Sequence, residues 1–250
     1  MRFHVLTLFP GMFEGPMSES IIARAQSQGL IEVSLHDIRD HAHDKHRQVD
    51  DYGFGGGPGM VMKPAPIFEA VEHVKSASSL PDATPVILLS PQGDRLDQSS
   101  VERLATFQDL VLICGRYEGV DERVRQHLAT EEISIGDYVL GGGELAAMVV
   151  IDAVARLVPG VVGSTESPAN DSFTTGLLQH PLYTRPAEFR NWEVPEMLLS
   201  GNHAEIDRWR RHEALRRTLA HRPDLLERLS DDLLTEEDRR YLDELSREHK

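Results

Sequence analysis

Residues 3–9 (FHVLTLF) are rich in large apolar side chains, alternate, and stop at Pro10 and Gly11, which predicts a first strand. A helical period over 18–29 and a second strand over 31–36 follow. Positions 37–59 are polar, then histidine-rich and finally glycine-rich, too long a stretch for an idle loop. Beyond it the pattern alternates: helix 66–76, buried strand 85–90 (PVILLS), helix 99–106, buried strand 110–114 (LVLIC), helix 121–128, short strand 132–135, and a strongly apolar helix over 145–157. Strand and helix in turn predict an α/β fold with a mostly parallel sheet. Residues 158–172 mix Pro, Gly, Ser, Thr and Asn with little periodicity and read as a mobile linker. The remainder is helical in character, over 204–219, 223–229 and 239–248. Thr235 before Glu236, Glu237 and Asp238 marks a capped start for the last of these.

Composition narrows the class. The 250 residues suffice for one large domain plus a small one. The formal charge of -15 argues against a polyanionic partner, but it is unevenly spread. Six arginines (Arg208, Arg210, Arg211, Arg216, Arg217, Arg222) stand against one acid, Glu213, while the tail from Asp224 onward is acidic, so phosphate binding stays open. A single cysteine, Cys114, excludes an internal disulfide and a thiolate zinc cluster. The opening MRFHVLTLFPGMF lacks an export signal's apolar core and no stretch approaches the roughly 20 apolar residues of a membrane helix, so a cytoplasmic protein without a membrane partner is expected.

Candidate chemistry sits where strands end. Buried strand 85–90 runs into LLSPQG, read as a turn whose Gly93 admits a ligand close to the backbone, or equally as an ordinary strand-to-helix turn. LVLIC runs into Gly115, Arg116, Tyr117, Glu118 and Gly119, two glycines framing a cation, an aromatic and a carboxylate. SIGDYVLGGGE (134–144) leads into the apolar helix but offers no P-loop Lys or Ser/Thr, and no dinucleotide fingerprint follows the first strand. An adenosine held by backbone groups fits better, provided the three turns converge. DDYGFGGGPGM (50–60) is flexible by default and would be ordered by a partner such as a flipped nucleobase, with a plain flexible loop as the alternative. His36, His41, His43 and His46 match no zinc spacing and read as solvated or RNA-facing. Asp171 can be a mere helix cap, and Arg156 a solvated charge.

Taken in order, GFGGGPGM, LSPQG, CGRYEGVDER, SIGDYVLGGGELAAM and DSFTTGLLQHPLYTRP resemble the bacterial tRNA (guanine-N1)-methyltransferases of the SPOUT superfamily, from Phe3 to about Leu229. The resemblance implies a deep trefoil knot formed by about 88–140, followed by a small helical C-terminal domain. By it, 1–162 form the knotted S-adenosylmethionine-binding catalytic domain, 163–175 a flexible linker carrying the catalytic aspartate, and 176–250 a helical tRNA-binding domain. It implies a methyl-donor pocket of Leu89, Ser90, Pro91, Gln92, Gly93, Gly115, Tyr117, Glu118, Ile135, Gly136, Asp137, Tyr138, Val139, Leu140, Gly142 and Gly143. Asp50, Gly57, Pro58, Gly59, Met60 and Ser172 would meet the RNA.

By the same resemblance the protein is a homodimer whose active site is shared between subunits, with Asp171 as general base and Arg156 as its partner in the chemistry. The implied reaction is methylation of N1 of the guanosine that follows the anticodon, position 37 of tRNA. Mg²⁺ is compatible with the family, though no ligand cluster in the sequence marks a site. Gln179 stands where many relatives carry an acid, and Gly141 and Ala146 replace a commoner Ser and Pro. Three other readings remain: a methyltransferase of ribosomal RNA or ribose hydroxyls, an RNA-binding assembly factor without turnover, and, least favoured, a nucleotide hydrolase.

Overall fold

A computed structural model describes residues 1–163 and 171–248 and divides the chain into two compact units, Met1–Thr165 and Glu166–Lys250. Of the mobile linker expected over 158–172, residues 164–170 lie outside the described residues. Its first part is packed: Val161 is buried in the core and its carbonyl accepts a 2.9 Å bond from Arg24 Nη2.

The first unit is built on five strands, β1 (Arg2–Thr7), β2 (Glu32–Asp37), β5 (Val86–Arg95), β6 (Asp109–Cys114) and β7 (Glu131–Ser134), in the order β2-β1-β6-β5-β7 and parallel throughout. Helices α1 (Ser20–Ser27), α2 (Pro64–Ala77), α3 (Gln98–Leu104), α4 (Glu122–His127) and α5 (Glu144–Ala155) cover it. Side chains alternate across a strand, so the continuous apolar runs supply two cores at once. Phe3, Val5, Ile87, Leu89, Leu110, Leu112 and Cys114 meet α1, α3 and α5 on one face, while Leu6, Val86, Leu88, Val111 and Ile113 meet α2 and α4 on the other. This is why PVILLS and LVLIC show no polar alternation. Two helix starts are fixed by side chains: Asp97 accepts from Ser100 N at 2.8 Å and Asp121 from Arg123 N at 2.9 Å.

Two expectations change. The strand expected to end at Ser90 continues to Arg95, because β5 pairs with Ile133 at Leu89 and again at Asp94. Residues 90–93 are therefore a bulge rather than a turn. Gly93 is required there, since a Cβ would lie 2.5 Å from the Glu132 carbonyl carbon and the Ile133 nitrogen. The glycine-rich stretch is also more ordered than its composition suggests. β3 (Asp50–Tyr52) and β4 (Met60–Met62) form an antiparallel hairpin whose tip carries Gly55, Gly56, Gly57 and Gly59 at positive φ, a conformation that other residues adopt only under strain. Its base is anchored by buried Met62 and by Glu118 N donating to Met60 O and Met62 N donating to Gly119 O, both at 3.0 Å.

The second unit contains a short hairpin, β8 (Glu188–Phe189) with β9 (Trp192–Glu193), and helices α6 (Glu196–Leu199), α7 (His203–His221), α8 (Pro223–Arg228) and α9 (Glu236–Glu248). The capped start at Thr235 is present as a reciprocal pair: Asp238 N donates to Thr235 Oγ1 at 3.1 Å, and Thr235 N to Asp238 Oδ2 at 2.9 Å. Asp238 also receives Arg211, and His212 stacks on Tyr241 at 4.0 Å, so α9 packs along α7.

Candidate active site

The ends of β5, β6 and β7 deliver three chain segments to one place. Gly143 N donates to Gly115 O at 2.9 Å, and Arg116 pairs with Gly142 as an isolated bridge. A Cβ on Gly143 would stand 2.8 Å from Cys114 Cα and 3.2 Å from Leu89 Cβ, so only glycine lets these backbones approach. They enclose a cleft of about 270 Å³ at the carboxyl ends of the strands, the usual ligand position in an open α/β sheet. That volume suits a small molecule rather than a polymer.

Of the residues expected to hold a donor, Leu89, Ser90, Pro91, Gln92, Gly115, Tyr117, Glu118, Ile135, Gly136, Tyr138, Val139, Leu140, Gly142 and Gly143 line this cleft. Gly93 and Asp137 do not: Gly93 faces the β7 backbone inside the bulge, and Asp137 is exposed. The lining combines apolar and aromatic side chains and glycine backbone with the charged Arg116, Glu118, Glu122, Arg125 and Glu132.

Sequence reasoning missed what braces the cleft. Glu144, completely buried at the start of α5, lies 2.9 Å from Arg116 Nε and accepts from Thr7 Oγ1 at 2.8 Å, while Thr7 Oγ1 in turn accepts from Phe9 N at 2.9 Å. Arg116 Nη1 donates to Gly141 O at 3.0 Å, and the guanidinium lies 4.5 Å from the Phe9 ring centroid. One cation thus ties the loop after β6 to the glycine turn and to the end of β1. The only signal in sequence was a buried-type Glu after three glycines; its partner Thr7 is 137 positions away. Burial pushes the Cys114 thiol well above its ordinary pKa, with Glu144 adding to the rise, so this cysteine stays protonated and is no nucleophile.

The remaining candidates lie elsewhere. Asp50 is in β3, Gly57, Pro58 and Gly59 at the exposed hairpin tip, and Met60 in β4, bonded to Glu118 at the cleft wall. Arg156 caps the C-terminus of α5, the far end from Gly143, about 18 Å along a helix of this length. Asp171 and Ser172 belong to the second unit, where Ser172 Oγ accepts from Gln179 N at 3.0 Å. His36 is not a solvated histidine: it stacks on buried His4, with ring centroids 5.8 Å apart, and burial lowers its pKa, as do His4, His73 and His41. Among the described residues no group of three His, Cys, Asp or Glu could hold a metal ion, and no helix is long and apolar enough to cross a membrane.

Residues 1–228 match the family model described as tRNA (Guanine-1)-methyltransferase TrmD. Relatives named tRNA (guanine-N(1)-)-methyltransferase include those of Dehalococcoides mccartyi (strain 195), 59% identical over 98% of this chain and 97% of the relative, and Geobacillus kaustophilus, 56% identical over 99% of both. That of Moorella thermoacetica is 59% identical over 99% of this chain and 97% of its own length.

Proposed function

This chain belongs to the tRNA (guanine-1)-methyltransferase family, and on that premise we propose that it methylates N1 of the guanosine 3′-adjacent to the anticodon, position 37, using S-adenosylmethionine. The observation that carries the reading is the meeting of three strand-end segments in one small cleft, with Gly143 N bonded to Gly115 O and packed so closely on Cys114 and Leu89 that a Cβ would not fit. Such a cradle suits an adenosine recognised through main-chain groups, and Leu89 to Gln92, Gly115, Tyr117, Glu118 and Ile135 to Gly143 would hold it. When bound, S-adenosylmethionine supplies a methyl group on a positively charged sulfur. The segment 88–140 is proposed to thread through itself as a trefoil knot, on the strength of the family to which the chain belongs.

Guanine N1 carries a proton and is a poor nucleophile until it is lost. The Asp171 carboxylate takes that proton as the N–C bond forms. As N1 loses its proton, negative charge spreads to O6, where the Arg156 guanidinium would stabilise it, and N1 attacks the methyl carbon, breaking the donor's S–C bond and releasing S-adenosylhomocysteine. Arg156 stands about 18 Å along α5 from the cleft of its own chain, which supports a site completed by a second subunit. The exposed Leu145 and Val149, one turn apart on α5, offer an apolar surface for that dimer. Asp50, Gly57 to Met60 and Ser172 would flank the target base, and the helical unit would hold the tRNA stem.

The test is transfer of labelled methyl to an unmodified tRNA transcript with guanosine after the anticodon, against the same transcript with adenosine there. Label is expected only in the first, recovered as 1-methylguanosine. Equal labelling of both, or a methyl on ribose, would overturn the reading.

A further inference from the structure

The hairpin β8–β9 of the second unit has no part in the chemistry above, yet it is an unusual thing to leave exposed. It pairs only two residues per strand, Glu188 with Glu193 and Phe189 with Trp192. Residues directly opposite share a face, so one side carries two aromatic rings and the other two like charges. Phe189 and Trp192 are 55% and 68% exposed, with ring centroids 6.2 Å apart and planes tilted by 50°. These rings do not form a core. Between them, Arg190 and Asn191 both have positive φ, 55° and 62°, the backbone of a type I′ turn. Asn or Gly would occupy the first of these positions with less strain than arginine does. Its guanidinium lies 5.2 Å from the Phe189 centroid.

Charge partners separate Arg190 from the basic helix. On α7, Arg208, Arg210, Arg211 and Arg216 each meet a carboxylate, Arg222 meets Asp224, and Arg217 donates to the Gln179 carbonyl. Arg190 forms no ion pair with any described residue.

We propose that this hairpin is an RNA-contacting element: its aromatic face stacks an unpaired nucleobase of the substrate RNA, and Arg190 holds the adjoining phosphate. The inference rests on the tRNA reading above. Aromatic faces accept any base, a cation beside them captures the backbone, and Glu188 with Glu193 repel phosphate from the opposite face, fixing which side RNA approaches. A second copy of this chain would have no use for the strained arginine.

The test measures tRNA and S-adenosylmethionine affinity of the full chain. Trp192→Ala is expected to weaken tRNA binding about 5- to 150-fold, the loss of one base stack. Arg190→Asn keeps and relaxes the turn, yet should weaken tRNA binding and flatten its dependence on log salt by roughly 0.7 to 0.9. S-adenosylmethionine affinity should not change in either. Wild-type tRNA affinity in Trp192→Ala, or a loss that follows a change in oligomeric state, would overturn the proposal. A wild-type protein that fails to methylate tRNA would instead overturn the parent reading.

Discussion

The cleft and the arginine helix use the same chemical pair in opposite ways. At the cleft, Glu144 is completely buried and Arg116 is 19% exposed; Thr7 donates to Glu144 Oε1 and Arg116 donates to the Gly141 carbonyl, while among the described residues Glu144 Oε2 has only its ion-pair contact with Arg116. On α7, Arg208 and its partner Glu237 are 63% and 50% exposed. Removing one member of a buried pair strands a charge at a cost of several kcal/mol, whereas an exposed pair contributes roughly 0–1 kcal/mol. Ion pairing is therefore architecture at Arg116–Glu144 and an adjustable surface property at Arg208–Glu237. A donor cleft needs fixed walls, and an RNA surface needs cations that can exchange a carboxylate for a phosphate.

The largest effect should come from separating the tasks of the two units. With Asp171 as the proposed general base, Asp171→Ala is expected to lower turnover by about 10² to 10⁴ while leaving S-adenosylmethionine affinity near wild type. Single-turnover methylation and calorimetric titration check the two halves. Wild-type turnover would remove Asp171 from the chemistry.

Next comes the buried pair. Arg116→Ala should destabilise the protein by about 3–5 kcal/mol, read by denaturant unfolding, and adding Glu144→Gln should recover part of that, since the penalty lies in the orphaned charge. A loss below about 1 kcal/mol would place this pair in the same class as the exposed Arg208–Glu237.

Gly143→Ala probes the walls without touching charge. Gly143 has an ordinary φ of −78°, so the substitution tests close approach alone. The new methyl would meet Cys114 Cα at 2.8 Å and Gly115 N at 3.1 Å. Overpacking is expected to lower stability by roughly 1–3 kcal/mol, read by denaturant unfolding. Gly163→Ala, with nothing within 4 Å, is the neutral control.

What could be read from the sequence follows from the range of the interactions. The parallel sheet was legible because PVILLS and LVLIC each serve two cores, and the start of α9 because the bonds between Thr235 and Asp238 span three positions. The cleft was legible as glycines at strand ends, although the Pro91–Gly93 segment proved to be a bulge, since the approach of Gly93 to the Glu132–Ile133 backbone depends on tertiary pairing. Composition hid the β3–β4 hairpin, because its glycines answer a demand for positive φ that local propensity reads as looseness. The brace of Thr7, Arg116 and Glu144 could not be assembled from sequence, although Arg116 and Glu144 each stood beside glycines, because its three members come from distant parts of the chain.

The smallest effect, on Glu237, sharpens the contrast from the adjustable side. This carboxylate pairs with Arg208 at 3.1 Å at the surface and lies 3.7 Å from the buried His212 Nε2. Glu237→Gln should therefore change stability by less than about 1 kcal/mol, since an exposed pair gives little to the folded state. With the tRNA stem held by this unit, as proposed, the same change frees Arg208 for a phosphate. Affinity for tRNA should then rise at low salt, and the slope of log affinity against log salt should steepen by about 0.9, one more counterion released per added contact. An unchanged slope would mean that α9 and its acids are simply part of the helical scaffold, leaving the phosphates to other cations.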